Sequence, residues 1–276
     1  MEIKFTKMHG LGNDFVVINA ISQVINLTSE QIVAISDRHF GVGCDQLLLV
    51  EKPSDLRAEF RYRIFNADGG EVEQCGNGAR CFAIFVREQG LTTNDEILVE
   101  TAGGLIKLIV EQDQVTVDMG IPDFRPDSLP FLVESQAESY NLMVNDTEYA
   151  IGAVSMGNPH AVLQVDDVDK ADVKSIGAAI ESHALFPNRV NVGFMEIVNR
   201  DEIRLRVYER GAAETLACGT GACAAVSVGR MLGKLNERVT VQLHGGSLDI
   251  RWQGEGHTLL MTGPATTVFQ GQITCE

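Results

Sequence analysis

Apolar and polar residues alternate along Met1-Glu2-Ile3-Lys4-Phe5-Thr6-Lys7, the period of a half-buried strand. The same two-residue period recurs in Arg57 to Phe65, where Phe60, Tyr62 and Ile64 share a face, and in Ile203 to Tyr208. Two other segments are apolar nearly all round: Ala79 to Val86, and Ala222 to Val228 continuing to Leu232. A helix without a polar face must be buried on all sides. Two amphipathic helices are predicted besides: Thr28 to Arg38, opened by the capping-box residues Thr28 and Gln31, and Val173 to Ser182. Asn66-Ala67-Asp68-Gly69-Gly70 and Glu209-Arg210-Gly211 read as turns. Ala102-Gly103-Gly104 and His244-Gly245-Gly246 punctuate paired strands.

These elements are written twice. Glu71-Val72-Glu73-Gln74-Cys75-Gly76-Asn77-Gly78-Ala79 matches Glu214-Thr215-Leu216-Ala217-Cys218-Gly219-Thr220-Gly221-Ala222 at an offset of 143 (218 − 75), so E-x-x-x-C-G-x-G-A occurs twice. Gly12-Asn13 falls opposite Gly157-Asn158 and Gln46 opposite Asn191, both at 145, and Asn66 falls opposite Glu209 at 143. Gly103-Gly104 pairs with Gly245-Gly246, and Met119 and Pro122 with Met261 and Pro264, all at 142. Matches in one order with so little drift mean duplication. Strands before and after one buried helix, twice over, predict an α+β fold. It has two pseudo-symmetric homologous domains, each a mixed β-sheet or barrel wrapped around a central helix. Gly10-x-Gly12 and Gly41-x-Gly43 lack the third glycine and the strand–turn–helix frame of a dinucleotide site.

Composition narrows the function classes. The 276 residues are 45% hydrophobic, enough for two cores, and the formal net charge is −16. A chain this acidic lacks the footprint of a nucleic-acid binder and should not adhere to anionic membrane. No apolar run approaches the ~20 residues of a membrane span, and the N-terminus has no signal-peptide core, which points to the cytoplasm. The six cysteines (Cys44, Cys75, Cys81, Cys218, Cys223 and Cys275) are therefore expected as thiols. No C-x-x-C or accompanying histidine supports a zinc site, and no metal is expected.

Cys75 and Cys218 differ from the other four because each immediately precedes a buried helix. Unpaired backbone N–H groups and the positive end of the helix dipole meet there, which favours thiolate and can hold a ligand carboxylate. Glycines at 76, 78, 219 and 221 leave room for its approach. Duplicated domains normally take their ligand in a cleft, with equivalent residues on opposite sides of it. Two cysteines so placed suit inversion of a carbon acid: one thiolate removes a proton from one face, the other thiol supplies one to the opposite face, and no cofactor carries the proton. The negative charge developing next to a carboxylate can be held by the helix N-termini. Asn13, Gln46, Asn66, Asn158 and Asn191 lie at matching places and suit directional bonds to a small zwitterion. Arg210 can clamp a carboxylate, Glu209 can meet an ammonium group or orient a thiol, and His160 can tune a nearby cysteine.

At this point Met8-His9-Gly10-Leu11-Gly12-Asn13-Asp14-Phe15, Phe65-Asn66-Ala67-Asp68-Gly69, Gln74-Cys75-Gly76-Asn77-Gly78-Ala79-Arg80-Cys81, Ser155-Met156-Gly157-Asn158-Pro159-His160, Tyr208-Glu209-Arg210-Gly211-Ala212 and Ala217-Cys218-Gly219-Thr220-Gly221 resemble the diaminopimelate epimerase family, from Met1 to about Phe269. The resemblance implies interconversion of LL- and meso-2,6-diaminopimelate without pyridoxal phosphate or metal, on the route to lysine and peptidoglycan. It implies Cys75 and Cys218 as the acid/base pair, with His160 and Glu209 supporting them. Gly76-Asn77 and Gly219-Thr220 would hold the reacting carboxylate, and Asn13, Gln46, Asn66, Asn158, Asn191, Glu209 and Arg210 would bind the substrate. It also implies domains of residues 1–119 with 265–276 and of 120–264, and a homodimer through an aromatic near the C-terminus, here Phe269. A proline-type racemase shares the cysteine pair. A non-catalytic amino-acid binder would need the amides and Arg210 but no paired thiols, and a redox protein would favour C-x-x-C.

Overall fold

The computed structural model of the chain describes residues 2–72 and 75–275; Glu73 and Gln74 of the first repeat lie outside the described residues. The chain divides into two compact units, Met1–Asp118 with Thr262–Glu276, and Met119–Met261.

The first unit runs β1 (Glu2–Gly10), β2 (Asn13–Asn19), α1 (Ser29–Ser36), β3 (Gln46–Glu51), β4 (Phe60–Asn66), β5 (Glu71–Val72), α2 (Gly76–Glu88), β6 (Glu96–Thr101), β7 (Gly104–Glu111) and β8 (Gln114–Asp118). The second runs β9 (Tyr140–Val144), β10 (Thr147–Ser155), β11 (Pro159–Gln164), α3 (Val173–Glu181), β12 (Asn191–Asn199), β13 (Glu202–Glu209), β14 (Ala213–Thr215), α4 (Gly219–Met231), β15 (Arg238–Leu243), β16 (Gly246–Trp252) and the start of β17 (Leu259–Pro264), whose last three residues belong to the first unit. The last strand, β18 (Thr266–Thr274), returns to pair antiparallel with β1.

The pairing within the units is the same. β1 and β2 are antiparallel, β3 lies parallel to β2, β4 and then β5 follow antiparallel, and β6 lies parallel to β4. In the second unit β10, β11, β12, β13, β14 and β15 repeat these relations in order. Each parallel connection crosses over through a helix, as parallel strands require. The sheets are thus mixed, and each packs around its own helix: α2 lies on β1, β2, β3, β7, β8 and β18, and α4 on β10, β11, β12, β13 and β16. The helices fill the centres of the units because their middle turns are apolar nearly all round; every residue of α4 from Gly219 to Gly229 is buried apart from Thr220.

Local chemistry sets the boundaries. Thr28 caps α1 with the full reciprocal box: its Oγ1 accepts from the Gln31 N–H at 3.3 Å and its own N–H donates to Gln31 Oε1 at 3.1 Å. The helix stops two residues short of the predicted Arg38, because Asp37 turns extended and its carboxylate takes the N–H groups of His39 and Phe40. β4 starts three residues after the predicted Arg57, since an Asp55 turn accepts from the Arg57 and Ala58 N–H groups and holds them off the ladder. At Gly221 the close approach is to the repeat's own cysteine. A Cβ there would lie 2.9 Å from Val207 Cγ2 and 3.2 Å from Cys218 Sγ.

Candidate active site

Cys75 is the N-cap of α2 and Cys218 the N-cap of α4, both with extended backbone. Neither side chain is a helix cap, and the first turns above them are formed by Gly76-Asn77 and Gly219-Thr220, whose N–H groups lie before the first intrahelical acceptor. All six cysteines are thiols.

In the first unit three sheet positions meet near this helix start. Phe15 pairs with Gln46 across β2 and β3, and Gln46 with Asn66 across β3 and β4, so Asn13, Gln46 and Asn66 stand at one end of the sheet. Cys75 Sγ lies 3.8 Å from Asn13 Oδ1, and Asn77 Nδ2 donates to the same oxygen at 3.1 Å. Gln46 Nε2 donates to Asn66 Oδ1 at 2.9 Å, leaving the buried Gln46 Oε1 with no partner among the described residues. The Cys75 N–H donates to the buried Tyr62 hydroxyl at 3.3 Å.

The second unit repeats the frame with different chemistry. His160 pairs with Asn191 across β11 and β12, and Glu209 and Arg210 follow at the end of β13. Asn191 is pinned on both sides: its Nδ2 donates to the Pro159 carbonyl at 3.0 Å and its Oδ1 accepts the Arg210 N–H at 2.9 Å. Asn158 Nδ2 donates to Thr220 Oγ1 at 3.3 Å, and Thr220 Oγ1 lies 3.6 Å from Cys218 Sγ. The Arg210 guanidinium reaches the Asn188 carbonyl at 3.3 Å.

Burial and Glu209 together set the state of Cys218. The thiol donates to Glu209 Oε2 at 3.0 Å, while the Thr215 hydroxyl donates to Oε1 at 2.5 Å. The helix-start argument alone favours thiolate, and here the structure corrects it. Complete burial, then the charge of Glu209 and the hydrogen bond to it, raise the Cys218 pKa well above the ordinary range. Burial removes water from the anion, and an adjacent carboxylate repels it; together these outweigh a half-charge dipole. The Cys218 thiol is thus one partner of the Glu209 carboxylate.

His160 is buried and neutral. Burial, with Arg210 as the lesser cause, lowers its pKa to about 3. Its Nε2 lies 3.0 Å from Asn158 Oδ1, and its Nδ1 has no partner among the described residues. The unfolded imidazole titrates near 6.5, so between about 6.5 and 3 the unfolded chain holds the extra proton and stability falls as pH falls. His160→Gln should remove that dependence, flattening stability against pH in this window by up to about 1.4 kcal/mol per unit, read from urea unfolding at a series of pH values. An unchanged slope would refute a neutral buried His160.

Phe269 sits on β18 with 47% of its surface exposed, packed edge-to-face on Phe5 at 5.9 Å between ring centroids. Four cysteines stay outside the constellation. Burial raises the pKa of Cys44 and of Cys81, and Cys223 and Cys275 are likewise buried. Asp45, the Tyr62 hydroxyl and Arg80 join the first-unit site without being among the candidate residues the sequence singles out. Arg80 carried a signal, as a charge inside a helix otherwise apolar; it is 0% exposed. Among the described residues no helix is long and apolar enough to cross a membrane.

The two like units define a fold class that includes a solved epimerase. A crystal structure of a hydroxyproline epimerase from Agrobacterium vitis matches with a TM-score of 0.73 over 99% of this chain and 92% of that one, at 16% sequence identity, a likeness of fold. Sequence relatives are far nearer. A diaminopimelate epimerase of Thioalkalivibrio sulfidiphilus is 63% identical over 276 residues, and one of Chromobacterium violaceum 61% identical over 274, each comparison covering 99% of both chains. The diaminopimelate epimerase family model matches residues 5–124 and 152–268. The chain belongs to the diaminopimelate epimerase family.

Proposed function

We propose that this chain epimerises LL-2,6-diaminopimelate to the meso form, in lysine and peptidoglycan precursor biosynthesis, with Cys75 and Cys218 as the two acid–base groups and no cofactor. Family membership carries the reaction. The observation that carries the mechanism is the helix N-cap cysteine built twice from one repeated motif, with a carboxylate 3.0 Å from one of the sulfurs.

The chemistry runs as a proton relay. Glu209 accepts the Cys218 proton, which it already holds in a hydrogen bond, and the thiolate takes the α-proton. The Cys75 thiol delivers its own proton to the opposite face, so one C–H bond breaks and another forms while the electron pair stays on the substrate. In the reverse direction the cysteines exchange roles. The α-carboxylate, whose charge grows in the transition state, is held by the first-turn N–H groups of Gly76-Asn77 and Gly219-Thr220. Gln46 Oε1, a buried acceptor with no partner among the described residues, suits an ammonium hydrogen. Asn13, Asn66, Asn158, Asn191, Glu209 and Arg210 bind the remainder, the guanidinium taking a carboxylate in a forked contact. Neutral His160 supports Asn158. The enzyme works in the reducing cytoplasm, away from nucleic acid and membrane, as a homodimer through the β18 surface bearing Val268 and Phe269, 54% and 47% exposed.

The test is incubation of the reduced protein with LL-diaminopimelate in D₂O. Meso product carrying deuterium at one α-carbon is expected. Absence of both product and label would overturn the reading.

A further inference from the structure

Asn13 presents its amide oxygen to the Cys75 sulfur, and its neighbours leave it no choice. An amide can be turned end for end, so its direction must come from groups that play a single role. Arg80, fully buried in α2, can only donate; its Nη2 lies 2.9 Å from Asn77 Oδ1. The Asn77 amide must therefore offer oxygen to Arg80 and nitrogen to Asn13, where Nδ2 to Oδ1 is 3.1 Å. Asn13 must offer its oxygen in return, which sends its nitrogen to Asp45 Oδ2 at 3.0 Å. A carboxylate can only accept. The chain read from either end gives one direction.

Both ends are anchored. Arg80 also donates to the Pro264 carbonyl at 3.1 Å, tying α2 to the segment before β18. Asp45 accepts from Arg38 Nη2 at 2.7 Å and from the Asp14 N–H at 3.1 Å. Asp14 is forked by Arg38 at 2.8 and 2.9 Å and bound by Lys7, whose Nζ also donates to the Gly43 carbonyl. In the second unit Asn158 sits between Thr220 and His160, each able to donate or accept, so nothing there dictates its direction.

We propose that Asp45 and Arg80 are positioning residues, one at each end of a directed hydrogen-bond chain, Arg80 to Asn77 to Asn13 to Asp45, that holds the Asn13 oxygen towards Cys75. An acceptor fixed 3.8 Å from the sulfur favours S–H over thiolate. Cys75 is thereby kept ready as a proton donor. The catalytic consequence rests on the reading of Cys75 as one of the acid–base pair; the orientation does not.

The test is the pH dependence of Cys75 alkylation, resolved by peptide mapping in the intact protein without substrate. The charged groups around this hydrogen-bond chain are Lys7, Asp14, Arg38, Asp45 and Arg80, with His9, Cys44, Tyr62 and Cys81 also titratable, so the comparison must hold charge constant. Arg38→Met with Asp45→Ala removes one charge of each sign and releases the Asn13 nitrogen, so that the amide is held at its oxygen end alone and can swing off the sulfur; Arg38→Met alone keeps the Asp45 anchor. Both side chains are about half exposed, so the fold should survive. In the double variant the Cys75 midpoint should fall by about one pH unit from wild type, with the Cys218 profile unmoved. In Arg38→Met it should stay at or above the wild-type value. A double-variant Cys75 profile coinciding with wild type, or moving together with Cys218, would overturn the proposal. Turnover of diaminopimelate should drop about tenfold in the double variant. A shifted Cys75 profile with unchanged turnover would uphold the orientation while refuting its part in catalysis, and Cys75→Ala separately tests the acid–base reading of Cys75.

Discussion

Epimerisation should be abolished by Cys75→Ala and equally by Cys218→Ala, each falling by about 10³-fold or more in a chiral chromatographic assay of diaminopimelate. The equality is the informative part. A one-base enzyme keeps most of its rate when the other cysteine is lost, whereas inversion by two groups needs a base on one face and an acid on the other. Neither sulfur carries the helix: the first-turn N–H groups belong to the backbone of Gly76, Asn77, Gly219 and Thr220, so carboxylate binding should survive within about tenfold by calorimetry. Folding should change little for the half-buried Cys75. For Cys218, 4% exposed, loss of the sulfur should cost on the order of 1 kcal/mol in urea unfolding. Retention of a tenth of wild-type turnover by either variant would refute the two-base scheme.

Glu209→Gln should make Cys218 more reactive and the enzyme less active. Burial is the larger cause of the raised Cys218 pKa, but the Glu209 charge is the next, and glutamine removes that charge while keeping the shape. The Cys218 pKa then falls, more thiolate is present at pH 8, and alkylation at Cys218 quickens by about tenfold. Catalysis needs the carboxylate to take the thiol proton when substrate is bound. An amide cannot do so, and turnover should fall by about 10²- to 10³-fold. The two readouts move in opposite senses, which simple loss of structure would not produce. Slower Cys218 alkylation in Glu209→Gln, or undiminished turnover, would contradict this assignment.

Much of the architecture is legible in the sequence. The offset of 143 between Cys75 and Cys218 predicted two like units, and the strand and helix order repeats accordingly. The all-apolar segments predict central helices, and α2 and α4 are those helices. Boundaries were read less well where a side chain competes with the regular ladder, as Asp37 does after α1 and Asp55 before β4. The amides were placed at matching positions, but not what each one faces. Gln46 meets Asn66 twenty residues on, and Asn13 meets Asn77 across 64 residues. Such pairs follow from strand register and helix placement, which no local pattern encodes.

The sequence by itself determined the periods, the duplication, the two cysteines before two buried helices and the family, because each is a short-range pattern or a direct comparison of residues. Only the tertiary structure decided how those cysteines are held. It set Glu209 on Cys218, so burial and a neighbouring carboxylate override the helix dipole. It buried Arg80 in α2 and brought Asp45 to Asn13, so a donor-only and an acceptor-only group point an amide oxygen at Cys75. Proton affinity depends on which groups lie within hydrogen-bond distance and how much water is excluded, and folding alone supplies both.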